Sequence, residues 1–309
     1  MNEIATDTAI DSSALLFAGR DTIHAYEDAA TATGRLDASA KLAPAGLREL
    51  LILRSIATSA GASHTGMIAL VRADGEGDES VRAYGLALRD GAARARGGVL
   101  PSVASLHALL RLPTPAWDPQ PIDELLRDGR ERTPPVLKAS LAALALRAAV
   151  LGGQAEMLEA HEPFVAQLTG LAVTLILCVG GATNNAWLTL PRAAANANQS
   201  LRETFSALAR EARAVEHGLA AARELCDTDE KHVRDSLGRA AYSALDVLAL
   251  LREQIVITVP ETARALDQTP PTAGAAVARL VEFGIAREVT GKARSRAFAY
   301  EGMVRALAP

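Results

Sequence analysis

Apolar residues along this chain recur three and four positions apart far more often than they alternate, the periodicity of helices that bury one stripe. Leu15, Leu16, Ile23 and Tyr26 predict a helix over 13–33 closed by Gly34, and Leu47, Leu50, Leu51 and Leu53 predict a second over 45–56. The small residues from 58 to 66 read as a linker or a short contact loop. Val81, Tyr84, Leu88 and Ala92 then line a helix over 79–96, which Gly97-Gly98 ends. A short helix over 102–112 carries His107, and the proline-rich stretch 112–119, with Trp117, reads as a loop because proline interrupts helices.

The densest apolar stretch lies between Ser140 and Gly181. Pro134-Pro135 leads a helix predicted to reach Val150, with Gly152-Gly153 breaking the chain and Glu162-Pro163 breaking it again ahead of LTGLAVTLILCV, residues 168–179. That last run has almost no polar face, so it belongs in the middle of a domain. It is shorter than the roughly 20 apolar residues that cross a bilayer. After a turn at Leu190-Pro191-Arg192, a long amphipathic helix rich in Arg and Glu is predicted over 199–226, with a restart at Asp227-Thr228-Asp229.

From Gly238 the pattern changes. Tyr242, Leu245, Leu248 and Leu251 predict a helix over 239–252, followed by a strand at 256–259 and a helix over 260–266. A turn at Asp267-Gln268 precedes Thr269 as N-cap and Pro270 in the first turn of the next helix, which keeps Ala273, Val277, Leu280 and Val281 inward and stops at Gly284. Strands at 285–290 and 296–300 complete the order of a winged helix-turn-helix. In that arrangement the helix over 270–283 enters a DNA groove. Thr272 and Arg279 then face base edges and backbone, and Lys292, Arg294 and Arg296 of the wing reach phosphates.

Composition bounds the functions open to the chain. Aromatics make up 4% of 309 residues and the net charge is -4, so any nucleic-acid contact must be local to a basic patch. Cys178 and Cys226 are the only cysteines and lie in helical contexts, reading as thiols of a reducing, cytoplasmic compartment. The first eleven residues lack the basic and apolar regions of a secretory leader. Six histidines without paired spacing or nearby cysteines indicate no metal site.

Glu261-Thr262-Ala263-Arg264-Ala265-Leu266, Pro271-Thr272-Ala273, Phe283-Gly284-Ile285 and Glu288-Val289-Thr290-Gly291 together resemble the tail of Fic proteins that end in a winged helix. The resemblance extends more loosely over most of the chain and implies a Fic core, whose family transfers AMP from ATP to a protein hydroxyl. The family's motif, His-Pro-Phe-x-Asp/Glu-Gly-Asn-Gly-Arg, lies in a loop between two core helices. It would align with His161, Pro163 and Phe164 after insertion of Glu162. The alignment puts Ala166 where the motif's metal-holding acid stands, residues 167–169 on its Gly-Asn-Gly and Gly170 on its arginine. The resemblance therefore implies a degenerate transferase, since the metal, the anion cradle and the arginine together supply the charge stabilisation. The family's inhibitory Ser/Thr-x-x-x-Glu helix has no glutamate to match in 58–66.

The expected protein is mainly α, with an N-terminal helical region over 1–95, a Fic-like helical core over 96–237 and a winged helix-turn-helix with a small β-hairpin wing over 238–309. It is expected to act by binding, as a DNA-binding transcriptional regulator without cofactor, DNA or a protein being its partner and a homodimer its assembly. Only an active transferase would use His161 as base with ATP and Mg²⁺ as cofactors. His107 and His161 otherwise read as core histidines.

Overall fold

The computed structural model describes residues 18–60, 67, 84–88, 90–91, 100–110, 115, 117–127, 133–151, 158–196, 199–291 and 296–309. The described chain is mainly helical, with one small antiparallel sheet near its C-terminus. It divides into two compact units, one comprising Met1–Asp37, Thr58–Gly61 and Ala83–Arg213, the other Ala38–Ala57, Ala62–Arg82 and Ala214–Pro309. No helix among the described residues is long and apolar enough to cross a membrane.

The first unit is built on α6 (Leu158–Val179), against which α5 (Pro135–Leu151), α7 (Arg192–Asn196) and the short α3 (Val103–Leu109) pack. Leu168, Leu171, Val173, Leu175, Ile176 and Leu177 of α6 are all buried, as its all-round apolar surface requires. The expected break at Glu162-Pro163 is absent, since α6 is helical from Leu158 onward. Proline early in a helix forfeits one backbone bond, and the long buried run behind it outweighs that loss. Gly181, at φ 75°, ends the helix, with Ala182 N–H donating to Leu177 O at 2.9 Å.

Short elements are tied down by side chains at their ends. The amphipathic stripe Ile122, Leu125 and Leu126 of α4 (Gln120–Arg127), an element absent from the expected order, packs on α5. Buried Lys138 of α5 donates to Leu126 O in the last turn of α4, a cation at a helix C-terminus. Asp123 of α4 in turn accepts the Val103 N–H at the start of α3, at 2.7 Å. Asp37 accepts from Asn185 N–H at 2.6 Å, Ala186 N–H at 3.1 Å and the Asn185 amide at 3.1 Å, holding the segment that follows α6.

Three other predicted boundaries are overridden by continuing buried stripes. Helix α1 (Arg20–Lys41) runs through Gly34, because Ala29, Ala32, Thr33, Leu36 and Ala40 keep one face buried. A helical glycine costs about 1 kcal/mol against alanine, less than burying Leu36 contributes. Helix α2 (Ala45–Ala60) continues through Thr58 and Ser59, both buried, so the first part of the expected linker is helix and 61–66 lie outside the described residues. Helix α8 (Leu201–Leu237) shows no restart at 227–229, since Leu219, Ala222, Cys226 and Val233 keep the stripe.

The second unit holds parts of α2 and α8 together with everything after Leu237. A 3-10 turn, Gly238–Ala241, leads into α9 (Tyr242–Gln254), then β1 (Val256–Thr258), α10 (Val259–Ala265), α11 (Pro270–Glu282), β2 (Arg287–Glu288), β3 (Ala297–Ala299) and α12 (Glu301–Ala306). Gly46 of α2 meets α9 so closely that a Cβ would lie 2.0 Å from Arg252 O, and a Cβ at Gly218 of α8 would lie 2.6 Å from Ala306 O. Arg54 of α2, buried, donates to Leu307 O and Ala308 O at 2.9 and 2.8 Å, capping the end of α12. Tyr300 OH donates to Asp229 of α8 at 2.5 Å, and Arg252 pairs with Glu230 at 2.7 Å.

Candidate nucleic-acid interface

The C-terminal module is assembled from strong local signals. Thr258 caps α10, accepting from Glu261 N–H and donating to the Glu261 carboxylate at 2.6 Å, with Pro260 in the first turn. Asp267, at φ 50°, turns the chain toward Thr269, which caps α11 by accepting from Thr272 N–H. Ala273, Ala276, Val277 and Leu280 bury the inner face of α11. Gly284 at φ 72° closes it, with Ile285 N–H to Leu280 O at 2.9 Å and Gly284 N–H to Val281 O at 2.9 Å. The inward assignment of Val281 is corrected, since it is 39% exposed, and Tyr242, at helical spacing with Leu245, Leu248 and Leu251, is 76% exposed. Ala276 of α11, and Ala244 and Val247 of α9, fill the buried positions instead, rotating each inner face by part of a turn.

The sheet runs β1-β3-β2, with Ile257 opposite Phe298 and Glu288 opposite Phe298 on the other side. Every residue of the middle strand is buried. Beyond the two-residue β2, Val289 N–H donates to Ala297 O at 2.9 Å, and Glu288 takes up the next polar groups. Its Oε1 accepts from Thr290 N–H and Gly291 N–H, each at 2.9 Å, and from the Thr290 hydroxyl. The Thr290 hydroxyl and backbone N–H hold the Glu288 carboxyl below the usual carboxylate range.

Among the residues expected to touch DNA, Thr272 is exposed near the start of α11, its hydroxyl 2.8 Å from that of Thr269. Arg279 is half-buried on the same helix, and Arg296 is exposed where the chain enters β3. Lys292 and Arg294 lie outside the described residues. The other exposed residues of α11 are Pro270, Pro271, Ala275, Ala278, Val281 and Glu282, none of them a cation. Arg287 and Arg305 are exposed but share Glu301, at 2.9 and 3.2 Å. Arg264 on the exposed side of α10 adds a cation that sequence reasoning left out, although its place beside Glu261 in an amphipathic helix marked it as solvent-facing.

The part of the aligned segment from Ala166 to Gly170 is core. Ala166, Gln167, Leu168, Thr169 and Gly170 are buried within α6. Gly170 faces three hydroxyls brought from distant parts of the chain, Ser59, Tyr84 and Thr189, with Ser59 Oγ 2.9 Å from Tyr84 OH and 2.9 Å from Thr189 Oγ1. Burial pushes the Tyr84 phenol up to about 12, against the lowering effect of those partners. His161 lies in α6 and not in an inter-helix loop. His107 is buried between the rings of Trp117 and Phe164, with centroids 6.0 and 5.5 Å away, so Trp117 anchors its loop on α3.

Among the described residues no group of three His, Cys, Asp or Glu side chains could hold a metal ion. Cys178 and Cys226 form no disulfide, and burial pushes the Cys226 thiol up, away from the reactive thiolate. The chain matches no known protein family and no curated protein.

Proposed function

We propose that this protein binds double-stranded DNA through its C-terminal module and regulates transcription, and that its helical body, Fic-like by resemblance, contributes by binding and not by AMP transfer. The observation that carries the reading is the module itself. A capped helix-turn-helix, α10 and α11, is followed by a hairpin with Arg296 at its root, and α11 keeps Thr272, Ala275, Ala278 and Glu282 exposed. With few base-reading side chains on α11, affinity is expected to come mainly from phosphate contacts, through the wing, Arg264 and Arg279. A homodimer would set two such modules on half-sites about 34–36 Å apart.

The burial of residues 166–170 supports the non-catalytic part of the reading. Ala166, Gln167, Leu168 and Thr169 are buried in α6, unlike the exposed loop that a phosphate-handling motif needs, and this favours binding over transfer.

The deciding experiment is a binding titration of the full chain against pooled genomic fragments, including its own upstream region, at two salt concentrations. Wild type is expected to select fragments, with log K falling against log salt by about 0.9 per phosphate contact. The triple variant K292A/R294A/R296A is expected to lose selection and show a shallower slope. Equal binding by the two proteins, or none by wild type, would move the search to a protein partner.

A further inference from the structure

The strand pairing of the wing is too short to set its direction. β2 contributes two residues and β3 three, and the ladder stops at Glu288 opposite Phe298, extended only by the Val289–Ala297 bond. Past that point no backbone carbonyl among the described residues of the facing strand accepts from the N–H groups of Thr290 and Gly291. The Glu288 carboxylate takes both, together with the Thr290 hydroxyl. That hydroxyl has a second role, since it accepts from Ala297 N–H at 3.2 Å on the opposite strand. Glu288, Thr290 and Ala297 therefore form a cross-link across the root of the hairpin, and Gly291 leaves it at φ 61°, a conformation glycine adopts without strain.

The Glu288 carboxylate keeps its charge, and the Thr290 hydroxyl and the N–H groups of Thr290 and Gly291 hold it against the hairpin backbone. The arrangement accounts for Glu288-x-Thr290-Gly291 as a unit: the acid supplies the acceptor, the threonine bridges the strands, and the glycine permits the exit.

We propose that Glu288 is the positioning residue of the wing, its carboxylate setting the direction in which the chain leaves β2 and returns at Arg296. As a statement about DNA affinity this rests on the DNA-binding reading above; as a statement about the hairpin it does not.

The test uses the full-length protein with Glu288→Ala and Glu288→Gln, folding being checked by far-ultraviolet circular dichroism. The first arm measures hydrogen exchange of peptides covering 286–299 without DNA. Exchange at the hairpin root is expected to rise about tenfold or more in Glu288→Ala, and to stay within a few-fold of wild type in Glu288→Gln, whose amide oxygen still accepts. Unchanged exchange in Glu288→Ala would overturn the proposal. The second arm titrates DNA at two salt concentrations. Glu288→Ala is expected to bind about tenfold more weakly, with the slope shallower by about 0.9 for each phosphate the displaced wing no longer reaches, and Glu288→Gln to recover most of the affinity. Tighter binding by both variants would show a merely repulsive charge and overturn the positioning role. A wild type that binds no fragment would sink the DNA reading alone, because exchange decides the role of Glu288 in the hairpin by itself.

Discussion

Replacing Gly170 by alanine puts a methyl group 2.5 Å from Ser59 Oγ, 2.7 Å from Thr189 Oγ1 and 3.1 Å from Tyr84 OH. None of the three hydroxyls can retreat to solvent, since Ser59 and Tyr84 are fully buried and Thr189 is 1% exposed. In an open helix the change would be favourable by about 1 kcal/mol, because alanine restricts the unfolded chain and suits the helix. Here overpacking costs roughly 1–3 kcal/mol, and shifting Ser59 strains its bonds to both partners, each worth about 1 kcal/mol. The expected outcome is a net loss of about 1–3 kcal/mol. Ser59→Ala alone removes the hub of the cluster and should cost about 1–2 kcal/mol. In the double variant the nearest obstruction is gone, so the two losses should fall short of additive by about 1 kcal/mol. Urea unfolding followed by tryptophan fluorescence is the assay, because Trp117 and Trp187, the protein's two tryptophans, both lie in the first unit. A Gly170→Ala protein as stable as wild type, or losses additive within about 0.5 kcal/mol, would refute the packing argument. The same geometry predicts that no larger side chain, arginine included, fits at this position.

The Tyr84 phenol, raised from 10.0 to about 12, keeps its proton in the folded state while the unfolded chain loses it, so its contribution is intact below about pH 10 and is lost as pH rises toward 12. Wild type should therefore lose up to roughly 2–3 kcal/mol more than Tyr84→Phe across that interval, and parallel stability curves would contradict the assignment. Thr269→Ala removes the cap of α11 and should destabilise the second unit by about 1 kcal/mol in thermal melts followed by circular dichroism, a change below a few tenths refuting the capping role.

The C-terminal module was the most legible part of the sequence because its signals are local. Thr269, Pro270 and Gly284 bound α11 through bonds that reach only a few residues, so their effect does not depend on the rest of the fold. The core run of α6 was legible for a different reason, its lack of any polar face. Breakers such as Gly34, Pro163 and 227–229 misled because a local penalty near 1–3 kcal/mol competes with buried area that only the packed structure supplies. Helix α4 carried a clear stripe in Ile122, Leu125 and Leu126, obscured by the prolines before it. Glu288 stood in a visible pattern, yet its task depends on Ala297 lying across the hairpin.

By itself the sequence determined the helical class, the central placement of residues 168–179, and the caps and turns of the winged module, since each follows from periodicity or from bonds within one turn of chain. Only the tertiary structure decided that Ser59, Tyr84 and Thr189 meet at Gly170, that Asp229 and Arg252 clasp the module to α8, and that Thr290, held by Glu288, meets Ala297 across the hairpin root. These arrangements join residues tens to more than a hundred positions apart, or across a hairpin, and nothing in local chemistry selects such partners until burial removes water as their competitor.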